Sequence, residues 1–185
     1  MTLTPPAAPF QFGSRISIDL TWTLRYRLVR PTERLVSPSD LHDWATAAGL
    51  PVEQRPSPAD LSEVRLLREA IYRAAQSVIS DRRITEEDQV IINRWAAEPT
   101  PVPQLAPDGT VATVGTRTTF TPVVALVARD AVDVLTRADG RLRCCADEQC
   151  SLLFYDGSRP GQRRWCDTQR CGNRANTKAY RQRKG

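Results

Sequence analysis

Histidine is almost missing from this 185-residue chain, which has only His42. That excludes a metal set built from several imidazoles. His42 stands beside Asp43 on a short predicted helix and reads as a surface residue. There is no Gly-rich phosphate loop and no Ser/His/Asp arrangement, so enzymatic chemistry is not expected. Asp19, Asp40 and Asp43 could line a pocket, but nothing in their spacing demands it. No apolar run approaches the roughly 18 residues of a membrane span, so no membrane partner is expected. The start, Met1-Thr-Leu-Thr-Pro-Pro-Ala-Ala-Pro, lacks the basic opening and apolar stretch of a secretory signal. The expected compartment is the cytoplasm, where thiols stay reduced and closely spaced cysteines suggest metal rather than disulfides. Aromatics are sparse at 6%, yet with 41% hydrophobic residues the chain is long enough to bury a core without staples.

The net charge of +5 is divided unevenly. From Arg141 to Gly185 there are eleven Lys/Arg against four Asp/Glu, a net of +7, and the remainder is therefore close to −2. The basic stretch also holds all five cysteines. Such asymmetry suggests a polyanion-facing module on a nearly neutral body, with a solubilising tail as the plain alternative.

Residues 1–14 are Pro-rich and read as a disordered start. Ile16 to Leu24 alternates apolar and polar residues, which favours a half-buried strand slightly over a helix. Ser37-Pro-Ser-Asp opens a short helix with Leu41, Trp44, Ala45 and Ala48 on one face, stopped by Gly49 and Pro51. Ser57 is a candidate N-cap with Pro58 at the first helical position, and a helix is predicted from there to about Ile79. Thr85 caps another helix that begins with three acids, which suit the positive end of its dipole. Val102-Pro-Gln-Leu and Val111-Ala-Thr-Val flank Pro107-Asp-Gly and read as a β-hairpin. Thr121-Pro122 then caps a helix that buries Val123, Leu126, Val127, Ala131, Val134 and Leu135. The expected class is α+β: a mainly helical N-terminal domain over 15–140 with one β-hairpin, then a small C-terminal zinc-knuckle module of four cysteines over 141–185, ending in a basic helix.

The cysteines carry the sharpest chemistry. Cys145, Cys150, Cys166 and Cys171 form two C-x4-C pairs fifteen residues apart, a spacing that can converge four thiolates on one tetrahedral Zn2+. Buried free thiols would not explain the duplicated spacing. Cys144 is treated as a non-ligand because Cys145 keeps the spacing symmetric. Four protein ligands leave no open position, so the zinc is expected to be structural and its binding energy to fold the module. Gly172 can take a positive φ and turn backbone N–H groups toward a thiolate. Leu152, Leu153, Phe154, Tyr155 and Trp165 supply what apolar core there is. A Cys166→Ser change is expected to unfold the module and leave the helical body largely intact. Four thiolates on one Zn2+ carry −2, so some arginines neutralise the cluster and the module's excess falls to about +5.

Arg163 and Arg164 precede the third ligand. Asn173, a candidate N-cap, precedes a helix carrying Arg174, Lys178 and Arg181 on one face, followed by Arg183 and Lys184. Arginines on one face of a helix suit phosphate contact and groove insertion. These eight residues are the candidate nucleic-acid contacts, with a solvated terminal helix as the alternative.

The segment Arg143 to Lys184, with Cys145-x4-Cys150, Phe154-Tyr155-Asp156-x-Ser158-Arg159, Arg163-Arg164-Trp165-Cys166 and Cys171-Gly172-Asn173-Arg174, resembles the CGNR zinc-finger family. In that family these four cysteines are taken as zinc ligands. The upstream part resembles the ABATE domain that accompanies this finger, through Ile18-Asp19-Leu20, Ser39-Asp40-Leu41, Trp44 and Ala48-Gly49-Leu50. That family's Asp-Phe-Val-Asn-Thr is here Asp19-Leu-Thr-Trp-Thr, without the Asn. The resemblance implies a stress-linked transcription regulator. The expectation is nucleic-acid binding by the finger, DNA favoured over RNA, with residues 15–140 sensing a small-molecule effector or forming a homodimer. A zinc-stabilised protein–protein interaction module is the rival reading, and binding that ignores salt would favour it.

Overall fold

A computed structural model describes residues 10–13, 15–50, 52, 54–100, 102–114 and 119–184, the side chains of 111–114, 179 and 183 excepted. The order is helix α1 (Ile16–Thr21), strands β1 (Leu24–Arg25) and β2 (Thr32–Glu33), helices α2 (Pro38–Ala47), α3 (Pro58–Ile79) and α4 (Glu86–Ala96), and strands β3 (Val102–Leu105) and β4 (Val111–Val114). Helix α5 (Thr121–Thr136), strands β5 (Leu142–Cys144) and β6 (Leu153–Tyr155), a π-helical turn (Thr168–Gly172) and helix α6 (Asn173–Lys184) follow. The strands form three separate antiparallel pairs. The fold is α+β and mainly helical, as the sequence led us to expect.

Ser37 and Ser57 both cap their helices with a reciprocal box: each hydroxyl accepts from the backbone of Asp40 or Asp60, whose carboxylate accepts in return. Thr85 accepts from the Asp88 amide in the same way. Thr121, read as a cap, lies instead inside the first turn of α5, whose cap position is Phe120 without a side-chain bond. Phe120 is itself buried, so the entry to α5 is fixed by packing rather than by a polar cap.

The segment read as a strand, Ile16 to Leu24, is mostly the helix α1. Alternation misleads here because the polar residues are buried along with the apolar ones: Ser17, Asp19 and Thr21 are each at most 4% exposed. The Ser17 hydroxyl donates to Asp130 at 2.6 Å and the Thr21 hydroxyl to the Ile18 carbonyl at 2.6 Å, so neither needs water. The helix runs through the interior against α3, α5 and β6.

Most of the Pro-rich start lies outside the described residues. Within 10–13, however, the disorder expectation fails: Phe10 is 7% exposed and belongs to the main apolar cluster with Trp44, Leu67 and Val127. The cavity in that core, between Leu20, Trp44 and Val124, holds about 10 Å³, room for no more than a water.

The C-terminal module is not a separate body. Ile18, Ala75 and Val134 of the helices form one cluster with Leu142 and Leu153 of β5 and β6. A second cluster joins Trp22 to Cys145, Cys150, Cys166, Cys171, Leu152 and Phe154.

Candidate metal centre and basic helix

Each cysteine pair is shaped by local backbone. After Cys145, the Ala146–Gln149 turn closes with Cys150 N–H donating to the Asp147 carbonyl at 2.8 Å, while Cys145 N–H donates to Leu152 O at 2.8 Å. The second pair rides on the π-helical turn. Asp167 caps it, accepting from Arg170 N–H at 2.9 Å, and its carbonyl receives the amides of Cys171 at 2.9 Å and Gly172 at 3.2 Å. This corrects two expectations. Asn173 is no N-cap: its φ of −64° and ψ of −37° lie within a helix that is already running, and Asp167 holds the cap. Gly172 has no positive φ, and a Cβ there would meet Thr168 at 3.4 Å and Trp165 at 3.6 Å, ordinary van der Waals distances, so neither backbone nor space calls for a glycine.

The four sulfurs of Cys145, Cys150, Cys166 and Cys171 lie within 4.8 Å of one another, and all four residues are buried. Sγ of Cys150 is 3.5 Å from that of Cys166, which is 3.7 Å from that of Cys171. A tetrahedron with Zn–S bonds of about 2.3 Å needs sulfurs about 3.8 Å apart, so the cluster fits one zinc ion, and none of the cysteines is bridged in a disulfide. Cys144 stands outside it, in β5 opposite Leu153. Without metal the thiols crowd one another. Cys145 is lowered by hydrogen bonds from the thiols of Cys150 and Cys166, while Cys166 is raised because it donates to Cys145 and Cys150. Burial and the neighbouring thiolates raise Cys171. The set must therefore shed protons to take up a dication, which makes metal affinity fall with acid.

The body holds this site from below. The Trp22 indole N–H donates to Leu153 O at 2.6 Å. Ser151, next to Cys150, has a φ of 54°; its hydroxyl donates to Cys150 O at 2.7 Å and accepts from Arg27 N–H at 3.1 Å. Tyr72 donates to the Ser151 carbonyl at 3.1 Å. Arg27 is fixed in turn by Glu69, and Glu69 and Glu33 grip the buried Arg68. Above the knuckles, burial opposes ionisation of Asp156, yet the Ser158 hydroxyl and the amides of Arg163 and Ser158 hold it down to about 2.

The candidate nucleic-acid residues have diverse surroundings. Arg163 donates to Cys166 O at 2.7 Å and lies 5.3 Å from the Phe154 ring centre, braced against the module. Arg164 is exposed, 5.1 Å from the Trp165 ring. Asn173 is exposed. Arg174 approaches Asp147 at 3.4 Å and Lys178 pairs with Glu148 at 2.7 Å, both acids coming from the first knuckle. Arg181 and Lys184 are exposed, with Lys184 4.9 Å from the Tyr180 ring; the side chain of Arg183 lies outside those described. An open groove of about 790 Å³ runs between Asp147–Gln149 and the Arg174, Lys178 and Arg181 face of α6. Sequence reasoning missed Gln11, Trp22, Arg25 and Ser151. Only Trp22 carried a signal, a large aromatic in the segment read as a strand.

Fold and site together define a zinc-knuckle protein whose metal module is docked on a helical domain. A family model described as "Putative stress-induced transcription regulator" (ABATE) matches residues 14–138, and the CGNR zinc finger matches residues 141–184. The first covers more than half of the chain, which therefore belongs to the ABATE family and carries a CGNR zinc finger. No curated protein matches the chain. Neither family description is that of an enzyme. Among the described residues, no helix is long and apolar enough to cross a membrane.

Proposed function

We propose that this protein is a transcription regulator whose finger binds nucleic acid, DNA in preference to RNA, and whose ABATE domain senses an effector or pairs with a second copy. The observation that carries the reading is the exposed basic end of α6, Arg181 and Lys184, beside the groove along the first knuckle. Arg164 flanks the metal site and adds a third solvent-facing cation. Arg174 and Lys178 join the contact by exchanging Asp147 and Glu148 for phosphates. Lys178 does so at little cost, since both members of its pair are exposed and water screens their attraction. The four cysteines hold zinc and thereby set the angle at which α6 leaves the module.

The test is fluorescence anisotropy of zinc-loaded protein with random duplex DNA and with single-stranded RNA at two salt concentrations. Arg164, Arg181 and Lys184 alone predict about a 40-fold loss of duplex affinity between about 50 and 200 mM salt, and the loss grows as Arg174 and Lys178 join the contact. Replacing Arg181 and Lys184 together by Gln should flatten that slope by about two contacts. A slope unchanged in that variant would put the contact elsewhere. The knuckle acids facing the groove favour one rival, a protein-docking module, and duplex affinity indifferent to salt would select it.

A further inference from the structure

Two guanidiniums at the junction of body and finger are placed where ordinary ion pairing does not explain them. Arg25, at the end of β1, donates to Gln11 Oε1 at 2.7 Å, and Arg170, on the π-helical turn, donates to the same oxygen at 3.0 Å. Among the described residues neither has a carboxylate partner, although Arg25 is partly buried. Like charges sharing one neutral amide oxygen repel each other, so an anion must stand nearby to justify the arrangement. The crevice they border is lined by Trp22 and by three of the four metal-site cysteines, Cys150, Cys166 and Cys171.

The anion is the loaded metal centre. Zinc with four thiolates carries −2, in a site where every cysteine is buried. A buried anion of that size needs compensating cations or donors. Of the other arginines, Arg163 is spent on the Cys166 carbonyl, and Arg174, which borders the same crevice near Cys171, is opposed by Asp147. Asp167, which also borders the crevice, turns its carboxylate to the Arg170 backbone amide that it caps rather than to a guanidinium. Arg25 and Arg170 together supply +2.

We propose that Arg25 and Arg170, aligned by Gln11, are the outer-shell cations of the zinc–thiolate cluster, so that zinc binding and docking of the finger on the ABATE domain are one linked equilibrium. Gln11 and Arg25 come from the body and Arg170 from the finger. Separating the two parts removes half of the compensation from the metal.

The experiment is competition for zinc between the full-length protein and a chromophoric chelator, comparing wild type with Arg25→Gln, Arg25→Lys, Arg170→Gln and the exposed control Arg30→Gln. Losing one outer-shell partner is expected to weaken zinc about 10–100-fold in each Gln variant. Arg25→Lys should recover much of that loss, and Arg30→Gln should match wild type. In the cobalt-loaded protein, the thiolate-to-metal charge-transfer band should move to longer wavelength in Arg25→Gln, a shift that simple loosening of the fold does not produce. Arg170 is exposed, so its variant tests the idea even if Arg25→Gln folds poorly. Zinc affinity within about twofold of wild type in Arg170→Gln, or a cobalt band unmoved in Arg25→Gln, overturns the proposal. DNA binding enters neither readout, so failure here and failure of the nucleic-acid reading are distinguishable.

Discussion

The helical body and the finger solve the same problem by different means. The body buries a wide apolar set around Trp44, Leu67, Ile71 and Val127 and closes its helices with Ser37, Ser57 and Thr85. The finger has little to bury. Its interior is the four cysteines with Leu152 and Phe154, plus one large side chain, Trp22, contributed by the body. One part is held by area removed from water, the other by metal–ligand bonds and by groups supplied across a junction. The finger is therefore a face of the whole protein rather than an appended bead.

The strongest way to break this contrast is to take the metal away. Cys166→Ser, or chelation, should abolish stoichiometric zinc and unfold the finger. From the sequence alone the body was expected to stay largely intact; the shared clusters around Trp22 and Ile18 predict instead that its thermal midpoint falls by several degrees. Next in size is a pair of tryptophans. Trp22→Ala and Trp44→Ala should each cost about 3–5 kcal/mol in denaturant unfolding. Only Trp22→Ala should also weaken zinc, and equal zinc affinity in both would dissolve the distinction.

A smaller effect belongs to Asp156, which the finger holds well below its ordinary 3.8. A lowered pKa means the stabilisation is fully present above about pH 4 and is lost as pH falls toward 2. Asp156→Ala should cost about 1–3 kcal/mol by orphaning the Arg163 and Ser158 amides, read by finger-specific hydrogen exchange at neutral pH. The least effect is Ser57→Ala, about 1 kcal/mol from the lost cap of α3, with zinc affinity unchanged.

Local signals made much of this legible. Capping serines, the Pro at the first turn and the i, i+4 apolar spacing produced α2 and α3 at nearly their observed bounds, and duplicated C-x4-C spacing produced the metal set. What failed were features decided by distant contacts. Ile16–Thr21 looked like a strand because the pattern cannot tell a polar residue facing water from Ser17 facing Asp130, 113 residues away. Gln11 sat in a Pro-rich start with no period at all, and its partner Arg170 lies 159 residues away. Gly172 was assigned the conformational use of glycine, whereas its φ is not positive and a Cβ would make only ordinary contacts with Thr168 and Trp165. Arg174, Lys178 and Arg181 border one groove, as their spacing suggested, but the acids that meet Arg174 and Lys178 belong to a turn 27 to 30 residues upstream.

The most direct test of the shared construction is hydrogen exchange on the full-length protein with and without zinc. If finger and body are one unit, chelation should deprotect the Cys145 and Asp156 amides, the Trp22 indole and helix α1 together, while α4, which is remote from the metal, keeps its protection. Loss of protection confined to residues after Arg141, with α1 and Trp22 unchanged, would show a finger that folds on its own and would contradict the account.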